Sequence, residues 1–325
     1  MQENNSENKT LFGKLLAKYG KDKVVIVTHN RADVDAISSS YSIHKAFPNS
    51  ILCTREEMTQ GAQMLSSKLG INPTPLNELE KNKKDFAGVI VVDTSAYTLV
   101  PDAKGWPVLG IIDHHRADGR DMKGEFEIID QEAPSAAEIV ANILDEKEIT
   151  KEMAFGLSIG IIADGARFKS ARAQTFETLA KLMKIAKTPY TELLNYAEPG
   201  PKEEAKIAIL KTMQKLNYIY AGGYIIATSE GISNESDAAS LITEAADVTF
   251  IAKWKDETQE TRISARARAN VAVPLNEVMS KVAKSVGVAG GGHPKAAGAA
   301  LKCHTDEALK KCVEVFADLA QTNSK

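Results

Sequence analysis

The stretch Lys23-Val-Val-Ile-Val-Thr-His29-Asn-Arg-Ala-Asp33-Val-Asp35 decides how the N-terminal half of the chain is read. Its β-branched run is too short for a core helix and is flanked by charge, so it reads as a buried strand. That strand delivers a histidine and two aspartates at its C-terminal end. The pattern recurs twice: Phe86-Ala-Gly-Val-Ile-Val-Val92 runs into Asp93-Thr-Ser95, and Val108-Leu-Gly-Ile-Ile112 runs into Asp113-His114-His115. Helical spacing fills the intervals, as in Ala36 to Phe47 and Thr59 to Leu69, and strands alternating with helices imply an α/β fold with a mainly parallel sheet. In such a sheet the C-terminal ends of neighbouring strands share one edge, where ligand crevices form. A fourth element, Gly156-Leu-Ser-Ile-Gly-Ile-Ile-Ala163, brings Asp164 to the end of an apolar run.

A single aspartate after a strand ordinarily caps a helix. Several at one edge are a different matter, because like charges a few ångströms apart oppose one another's ionisation and need cations beside them. Carboxylates mixed with a minority of imidazoles and no thiolate point to Mn2+ or Mg2+, with Co2+ or Zn2+ as alternatives. Two histidines and four aspartates exceed the needs of one ion and suit two, about 3.5–4 Å apart, that share a carboxylate. The reaction such a pair serves best is hydrolysis of a phosphate ester or anhydride.

The chain has 325 residues, 43% of them hydrophobic, with 40 Lys plus Arg against 43 Asp plus Glu, for a net charge of −3. That length suggests about two domains. The near-neutral balance excludes a globally basic nucleic-acid binder and leaves room for a local basic groove. Cys53, Cys303 and Cys312 lack CxxC spacing, which speaks against a disulfide framework or a zinc ribbon, and reduced cytoplasmic thiols are expected. There is no apolar leader and no stretch near the ~18 apolar residues of a membrane span, so a soluble cytoplasmic protein is expected. The Asn/Glu/Lys-rich first ten residues are expected to fray.

Pro134-Ser135 opens a helix over Ala136 to Leu144, and the helix-rich region from Lys151 to Tyr196 breaks at Glu198-Pro-Gly-Pro201. A helix from Lys202 to about Leu216 follows. Beyond it Tyr224 to Thr228, Val248 to Trp254 and Thr261 to Arg266 read as strands, the last two joined by a polar turn. A separate α+β domain is expected, with its boundary near Pro199 to Pro201. Within it, Ala289-Gly-Gly-Gly-His-Pro-Lys-Ala-Ala-Gly298 offers consecutive backbone N–H groups for an anion, with His293 and Lys295 as donors and a helix beginning at Ala296. Ser264-Ala-Arg266-Ala-Arg268 alternates, so Arg266 and Arg268 are expected on one face of a strand, suited to bidentate phosphate contact.

These residues resemble the DHH family of phosphoesterases, in its DHH–DHHA1 subfamily of nanoRNase, pAp phosphatase and RecJ-related proteins. The first motif of that family, His-x-x-x-Asp-x-Asp, matches His29, Asp33 and Asp35. Asp93 matches the second, Asp113-His114-His115 the third and Asp164 the fourth, while Gly290 to Gly298 matches the Gly-rich DHHA1 motif. The resemblance implies a parallel-sheet DHH domain with helices on both faces over 1–198, a linker helix over 199–218 and a smaller α+β DHHA1 domain with a mixed sheet over 219–325. It implies one Mn2+ on His29, Asp33 and Asp93 and a second on Asp35, Asp93, His114 and Asp164, with Mg2+ or Co2+ as substitutes. His115 is then the donor or proton carrier at the scissile phosphate, and Asp113 orients the histidines. Arg266, Arg268, Gly291, Gly292 and His293 form the substrate-binding set.

Two departures stand out. Asp164-Gly-Ala-Arg167 replaces the Asp-Thr-Gly of many relatives, making Arg167 a candidate phosphate contact, and Ser38 to Ser40 replace a Gly-Ser pair with little expected effect. The Lys/Arg-rich motif of the family's pyrophosphatases is absent, so inorganic pyrophosphatase is not expected. The activity implied is Mn2+-dependent hydrolysis of short oligonucleotides or dinucleotides such as pApA to nucleoside monophosphates, with pAp phosphatase activity beside it. A RecJ-like single-strand exonuclease, an exopolyphosphatase and a scaffold subunit of a replication assembly are the alternatives, the last disfavoured by the complete ligand set. No membrane partner is expected, and a homodimer is a reasonable base rate.

Overall fold

In a computed structural model, which describes residues 2–54, 57–116, 119–165, 168, 170–286 and 290–323, the run Val24–Val27 forms strand β1 with all four side chains buried. Strands β2 (Ser50–Cys53), β3 (Gly88–Val92), β4 (Val108–Asp113) and β5 (Phe126–Ile129) complete a five-stranded sheet of order β2-β1-β3-β4-β5. Every pairing in it is parallel. The chain crosses one way from β1 to β2 and the other way to β3, so the order reverses between β1 and β3. In doubly wound sheets that switch point is where the crevice opens, at the C-terminal ends of the strands.

The strands read as continuous apolar runs because both faces are buried. Val24, Ile26, Ile90, Val92 and Ile112 face a core built with helices α1 (Gln2–Tyr19), α2 (Val34–Ala46), α3 (Gln60–Leu69), α4 (Ala136–Ile143), α5 (Lys151–Asp164), α6 (Ala173–Ala186) and α7 (Tyr190–Ala197). Val25, Val27, Val89, Val91 and Ile111 face a thinner layer in which the 3-10 helix Leu76–Asp85 packs with Val100, Trp106 and Met122. One sequence expectation needs amending here. The first ten residues continue α1 back to Gln2 instead of fraying. Phe12 and Leu15 dock that helix on the core and Asn8 is itself buried, so propagation through the polar N-terminal turns adds one bond per residue fixed once the docked turns exist.

Compact units divide at Gly200/Pro201. The helix Glu203–Gln214 (α8) belongs with the second unit. That unit holds a mixed six-stranded sheet of order β10-β11-β9-β8-β7-β6, from β6 (Asn217–Ala221), β7 (Tyr224–Glu230), β8 (Val248–Lys255), β9 (Glu260–Ala267), β10 (Gly290–His293) and β11 (Ala296–Leu301). Among the described residues only β7 and β8 pair in parallel there, through the crossover helix α9 (Glu235–Ile242). Helices α10 (Leu275–Ser285) and α11 (Thr305–Asn323) cover one face, burying Val278, Val282 and Phe316 against Ile226, Phe250 and Ala265. No helix among the described residues is long and apolar enough to cross a membrane.

One ionic clamp ties α4 to α6. Arg172, the residue before α6, donates from Nε to Glu138 Oε1 at 2.9 Å and from Nη2 to Asp130 Oδ2 at 2.7 Å. Both carboxylates are buried, and removing the guanidinium leaves them without a countercharge. Arg172→Met is therefore expected to cost about 3–5 kcal/mol of stability, read from urea unfolding at neutral pH; a loss below ~1 kcal/mol would show that the clamp is dispensable.

Candidate metal centre

Three strand ends and one helix end meet at the switch point. His29 follows β1 after Thr28, and Asp33 is the N-cap of α2, its Oδ1 accepting the Ala36 N–H at 3.0 Å. Asp35 sits in the first turn of α2 and is fully buried. Its Oδ2 accepts the Ala136 N–H at 2.7 Å, its Oδ1 accepts the Ala137 N–H at 2.8 Å, and the Ser39 hydroxyl adds a donor at 3.3 Å. The carboxylate thus satisfies the open N-terminus of α4, where unpaired N–H groups and the helix dipole favour negative charge. Asp93, just after β3, has a left-handed backbone with φ of 65°. Aspartate tolerates that region better than most residues, and the turn carries its carboxylate back over the strand ends.

The paired histidines after β4, with ring centroids 4.3 Å apart, take different hydrogen-bond partners. His114 sets Nδ1 at 3.3 Å from the Ala133 carbonyl, which aims Nε2 inward, 3.1 Å from Asp164 Oδ2, 3.4 Å from Asp93 Oδ1 and 4.0 Å from Asp35 Oδ2. His29 Nε2 lies 3.4 Å from the other Asp93 oxygen. His115 donates from Nδ1 to Asp113 Oδ1 at 2.8 Å, and the Ser95 hydroxyl donates to Asp113 Oδ2 at 2.6 Å. That leaves the His115 side chain 54% exposed above the cluster.

His29, Asp33 and Asp93 form one set whose ligand atoms lie within 4.8 Å of one another; Asp35, His114 and Asp164 form a second, and Asp93, His114 and His115 a third. Asp93 Oδ1 is buried and completes no hydrogen bond of its own. A buried carboxylate oxygen left open between imidazoles, within a set of hard oxygen and nitrogen donors, fits a divalent cation. A cavity of about 280 Å3, lined by Asp33, Asp35, Thr59, Gly61, Asp164 and Pro199 among others, opens beside these groups.

Residues 23–161 match the DHH family N-terminal domain, and residues 222–322 match the DHHA1 domain. The chain belongs to the DHH family. It is 27% identical over 298 residues to an uncharacterized protein of Methanocaldococcus jannaschii, covering 87% of this chain and 88% of that one. It is 25% identical over 313 residues to the probable bifunctional oligoribonuclease and PAP phosphatase NrnA of Streptococcus mutans, covering 89% and 93%. Among solved structures, an exopolyphosphatase-related protein from Bacteroides fragilis shares the fold with a TM-score of 0.74 at 17% identity, covering 100% of this chain and 98% of that one. RecJ from Thermus thermophilus in complex with Mn2+ aligns with a TM-score of 0.52 at 13% identity, covering 97% of this chain and 55% of that one. As a DHH phosphoesterase, the chain is an enzyme that hydrolyses phosphoric esters.

The DHH cluster is strongly polarised without a cation. Burial raises the Asp35 pKa well above the usual carboxylate value, and the charges of Asp93 and Asp164 add to the effect. Asp164 is pushed up to about 6 by burial together with Asp93 and Asp33. Burial would lower the His114 pKa, but Asp93, Asp35 and Asp164 outweigh it and carry the imidazole up to about 10. For Asp93 burial acts upward, yet His114 and His29 hold its pKa below the ordinary value. The metal-free site therefore keeps a proton on His114 at neutral pH in place of a cation.

The DHHA1 unit corrects two local readings. Ala296 onward is strand β11 and not a helix, and the glycine run is its antiparallel partner β10, closed by a tight turn at Pro294-Lys295. Gly292 has φ of 136°, and a Cβ there would lie 2.7 Å from the Ala296 carbonyl oxygen, so the glycine is a condition of the turn. Arg268 is not on the strand face, because β8 begins at Val248 and the ladder ends with Val248 opposite Ala267; the Arg268 N–H instead bonds the Asp247 carbonyl at 2.9 Å. Arg266 and His293 do share a row, each opposite Ala296 across β11; Gly292 lies opposite Ala297 in the next rung, and Gly291 opposite Gly298 in the one after it. Arg167 lies outside the described residues.

Some supports of the site were not anticipated. Ser38, Ser39 and Ser40 are all buried, and Ser39 bonds the Asp35 carboxylate. Opposite them in α5, a Cβ on Gly160 would lie 2.3 Å from Ser38 Oγ, 2.8 Å from Ala137 Cβ and 2.9 Å from Asp35 Oδ1. The four-residue spacing of Gly156 and Gly160 was the available clue to a close helix crossing.

Two outcomes are expected. Gly160→Ala pushes Asp35 off the α4 amides, so Mn2+ affinity measured by calorimetry should fall by about 10–100-fold, as for other supports of metal ligands; unchanged affinity would remove Gly160 from the site. The second concerns pH. Because His114 titrates at about 10 and Asp164 at about 6 without metal, binding must expel protons. Apparent Mn2+ affinity should rise with pH between those values, and binding enthalpies should depend on the ionisation enthalpy of the buffer. A pH-independent affinity would contradict this electrostatic account.

Proposed function

We propose that this enzyme is a Mn2+-dependent phosphodiesterase that hydrolyses short oligonucleotides and dinucleotides to nucleoside monophosphates, with 3′-phosphate removal from pAp as a side activity. The observation that carries the reading is the convergence of two ligand sets on the buried carboxylate of Asp93, whose Oδ1 completes no hydrogen bond among the described residues. His29, Asp33 and Asp93 are suited to one ion, and Asp35, Asp93, His114 and Asp164 to a second. Such ions supply an acidified water and charge compensation for the phosphoryl oxygens.

The remaining chemistry falls to the protein. Asp113 raises the pKa of His115 by direct hydrogen bonding, while Ser95 fixes the carboxylate that does so. A protonated His115 can then donate from Nε2 to the leaving oxygen as general acid. Asp33 and Asp35, each held by helix amides, keep the ligand positions without rearrangement when substrate arrives. Arg266, His293 and the glycines at 291 and 292 are suited to hold a terminal phosphate or nucleotide, since Arg266 offers a guanidinium and the facing Gly291 and Gly298 carry no side chain to keep a phosphate from the backbone. Arg268 joins the set as a charge at the end of β9. Preference for short substrates draws support from the Streptococcus mutans relative, named as an oligoribonuclease and PAP phosphatase.

Asp93→Ala should abolish Mn2+-dependent turnover with an unchanged circular dichroism spectrum; retained turnover would refute the shared-ligand role. Asp113→Asn should lower kcat by about 10–100-fold and move the alkaline limb of the pH profile to lower pH. The sign follows from Asp113 holding the His115 pKa up, so that its loss ends the protonated state sooner as pH rises. The substrate class is tested with end-labelled oligonucleotides of graded length assayed beside pAp and polyphosphate. Fastest release from the dinucleotides is expected. Progressive digestion of the longest strands would instead identify a RecJ-like exonuclease, and chain shortening of polyphosphate an exopolyphosphatase.

A further inference from the structure

The C-terminal sheet ends in a strand that is poorly suited to face water. β6 reads Asn217-Tyr-Ile-Tyr-Ala221, with no charge and no proline, and its Tyr218 and Tyr220 are 78% and 76% exposed. Leu216, Ile219 and Ile225 beside it are also exposed. An edge strand with free backbone groups and apolar side chains invites pairing with another chain, and sheets normally blunt such edges with charge, proline or brevity. The other edges among the described residues are blunted. β2, β5 and β10 have four residues each, Cys53 of β2 bridges to Thr74, and three of the four residues in β10 are glycine.

The backbone pattern says what fits. β6 and β7 are joined by the two-residue turn Gly222-Gly223, both at positive φ, so Ala221 and Tyr224 form the hydrogen-bonded closing pair. Hydrogen-bonded and open pairs then alternate, which directs the N–H and C=O of Ile219 to Ile226 and those of Tyr218 and Tyr220 outward. Ile225, opposite Tyr220, confirms the parity by exchanging bonds with Asp247 on its far side at 2.8 Å and 3.0 Å. The free groups are therefore placed symmetrically about Ile219, in a sequence that reads Tyr-Ile-Tyr in both directions.

We propose that β6 is a homodimer interface, in which a second copy of this chain pairs antiparallel across a two-fold axis at Ile219 and continues the sheet. Tyr218 of one protomer exchanges both backbone bonds with Tyr220 of its partner, and the reverse, while the two Ile219 residues meet as a non-hydrogen-bonded pair. All four tyrosine rings fall on one face of the joined sheet as cross-strand aromatic pairs. Each ring is covered only on the side of its cross-strand partner, so the seam is smaller than the ~1,200 Å2 of a standard interface and rests on four backbone hydrogen bonds together with the contacts of the tyrosines and Ile219. An isologous contact closes on itself and so consumes the sticky edge instead of propagating it.

Light scattering on the full-length protein at micromolar concentration should give a dimer, and Ile219→Lys, which sets two like charges against each other on the axis, should give a monomer with unchanged secondary structure. A monomeric wild type, or a dimer that survives Ile219→Lys, overturns the proposal. Should the lysine variant misfold, a second arm decides. Facing residues in a non-hydrogen-bonded pair have Cα atoms about 4.5 Å apart, within the ~4.4–6.8 Å reach of a disulfide. Ile219→Cys, in a Cys303→Ala background, should therefore link to itself under mild oxidation. Cys53 and Cys312 are buried and stay silent. Ile225→Cys in the same background should not link. A dimer in which position 219 fails to cross-link places the interface elsewhere and equally overturns the proposal.

Discussion

Asp35 is a buried carboxylate surrounded by other carboxylates, and the N-terminal unit is arranged around keeping it there. Its own helix supplies Ser39, a second helix supplies two backbone amides, and a third passes close enough only because position 160 carries no side chain. Each contact answers one part of the cost of the site. The amides replace the water that burial removed, the α4 dipole opposes the repulsion from Asp93 and Asp164, and the glycine admits the packing that excludes solvent. Were the carboxylate supported by lysine or arginine instead, its charge would be neutralised and nothing would be left to attract a cation. Backbone amides hold a carboxylate without cancelling it.

The same economy explains why two adjacent histidines do different things. Their rings are chemically identical, and what separates them is the acceptor that each Nδ1 finds. His114 meets a carbonyl, a neutral acceptor that orients the ring and leaves Nε2 to the carboxylate cluster. His115 meets Asp113, an anion that favours the imidazolium form. One β4 end thereby presents one imidazole nitrogen to the carboxylate cluster and leaves a second, half-exposed imidazole bonded to Asp113, whose other oxygen accepts from Ser95.

Much of this was legible in the sequence. β1, β3 and β4 stand out because a strand buried on both faces reads as an unbroken β-branched run, and the clustered aspartates and histidines stand out because they follow those runs directly. β2 and β5 were not evident. They are short edge strands with mixed burial, whose identity comes from their neighbours and not from their own pattern. The β10–β11 hairpin is not legible for a related reason. Glycine and alanine carry no periodicity, so Ala296-Ala-Gly-Ala-Ala300 is compatible with helix or strand until the ladder with β9 decides it. Alternation puts Arg268 on a strand face, but alternation cannot tell where the partner strand begins. Gly160 and Arg172 were silent because their roles depend on residues far away in sequence.

The amides that receive Asp35 have a consequence for how the chain folds. Asp35 lies 101 and 102 residues from Ala136 and Ala137, so α4 obtains a large part of its N-terminal capping from a segment it can meet only after β1, β3 and β4 have assembled. A helix of eight residues is marginal by itself. Its start therefore becomes stable at about the moment the ligand cluster closes, which ties completion of the site to completion of the domain. A partly folded chain would present scattered aspartates with little hold on a cation, and the tight constellation would exist only in molecules whose long-range contacts between α2 and α4 had already formed.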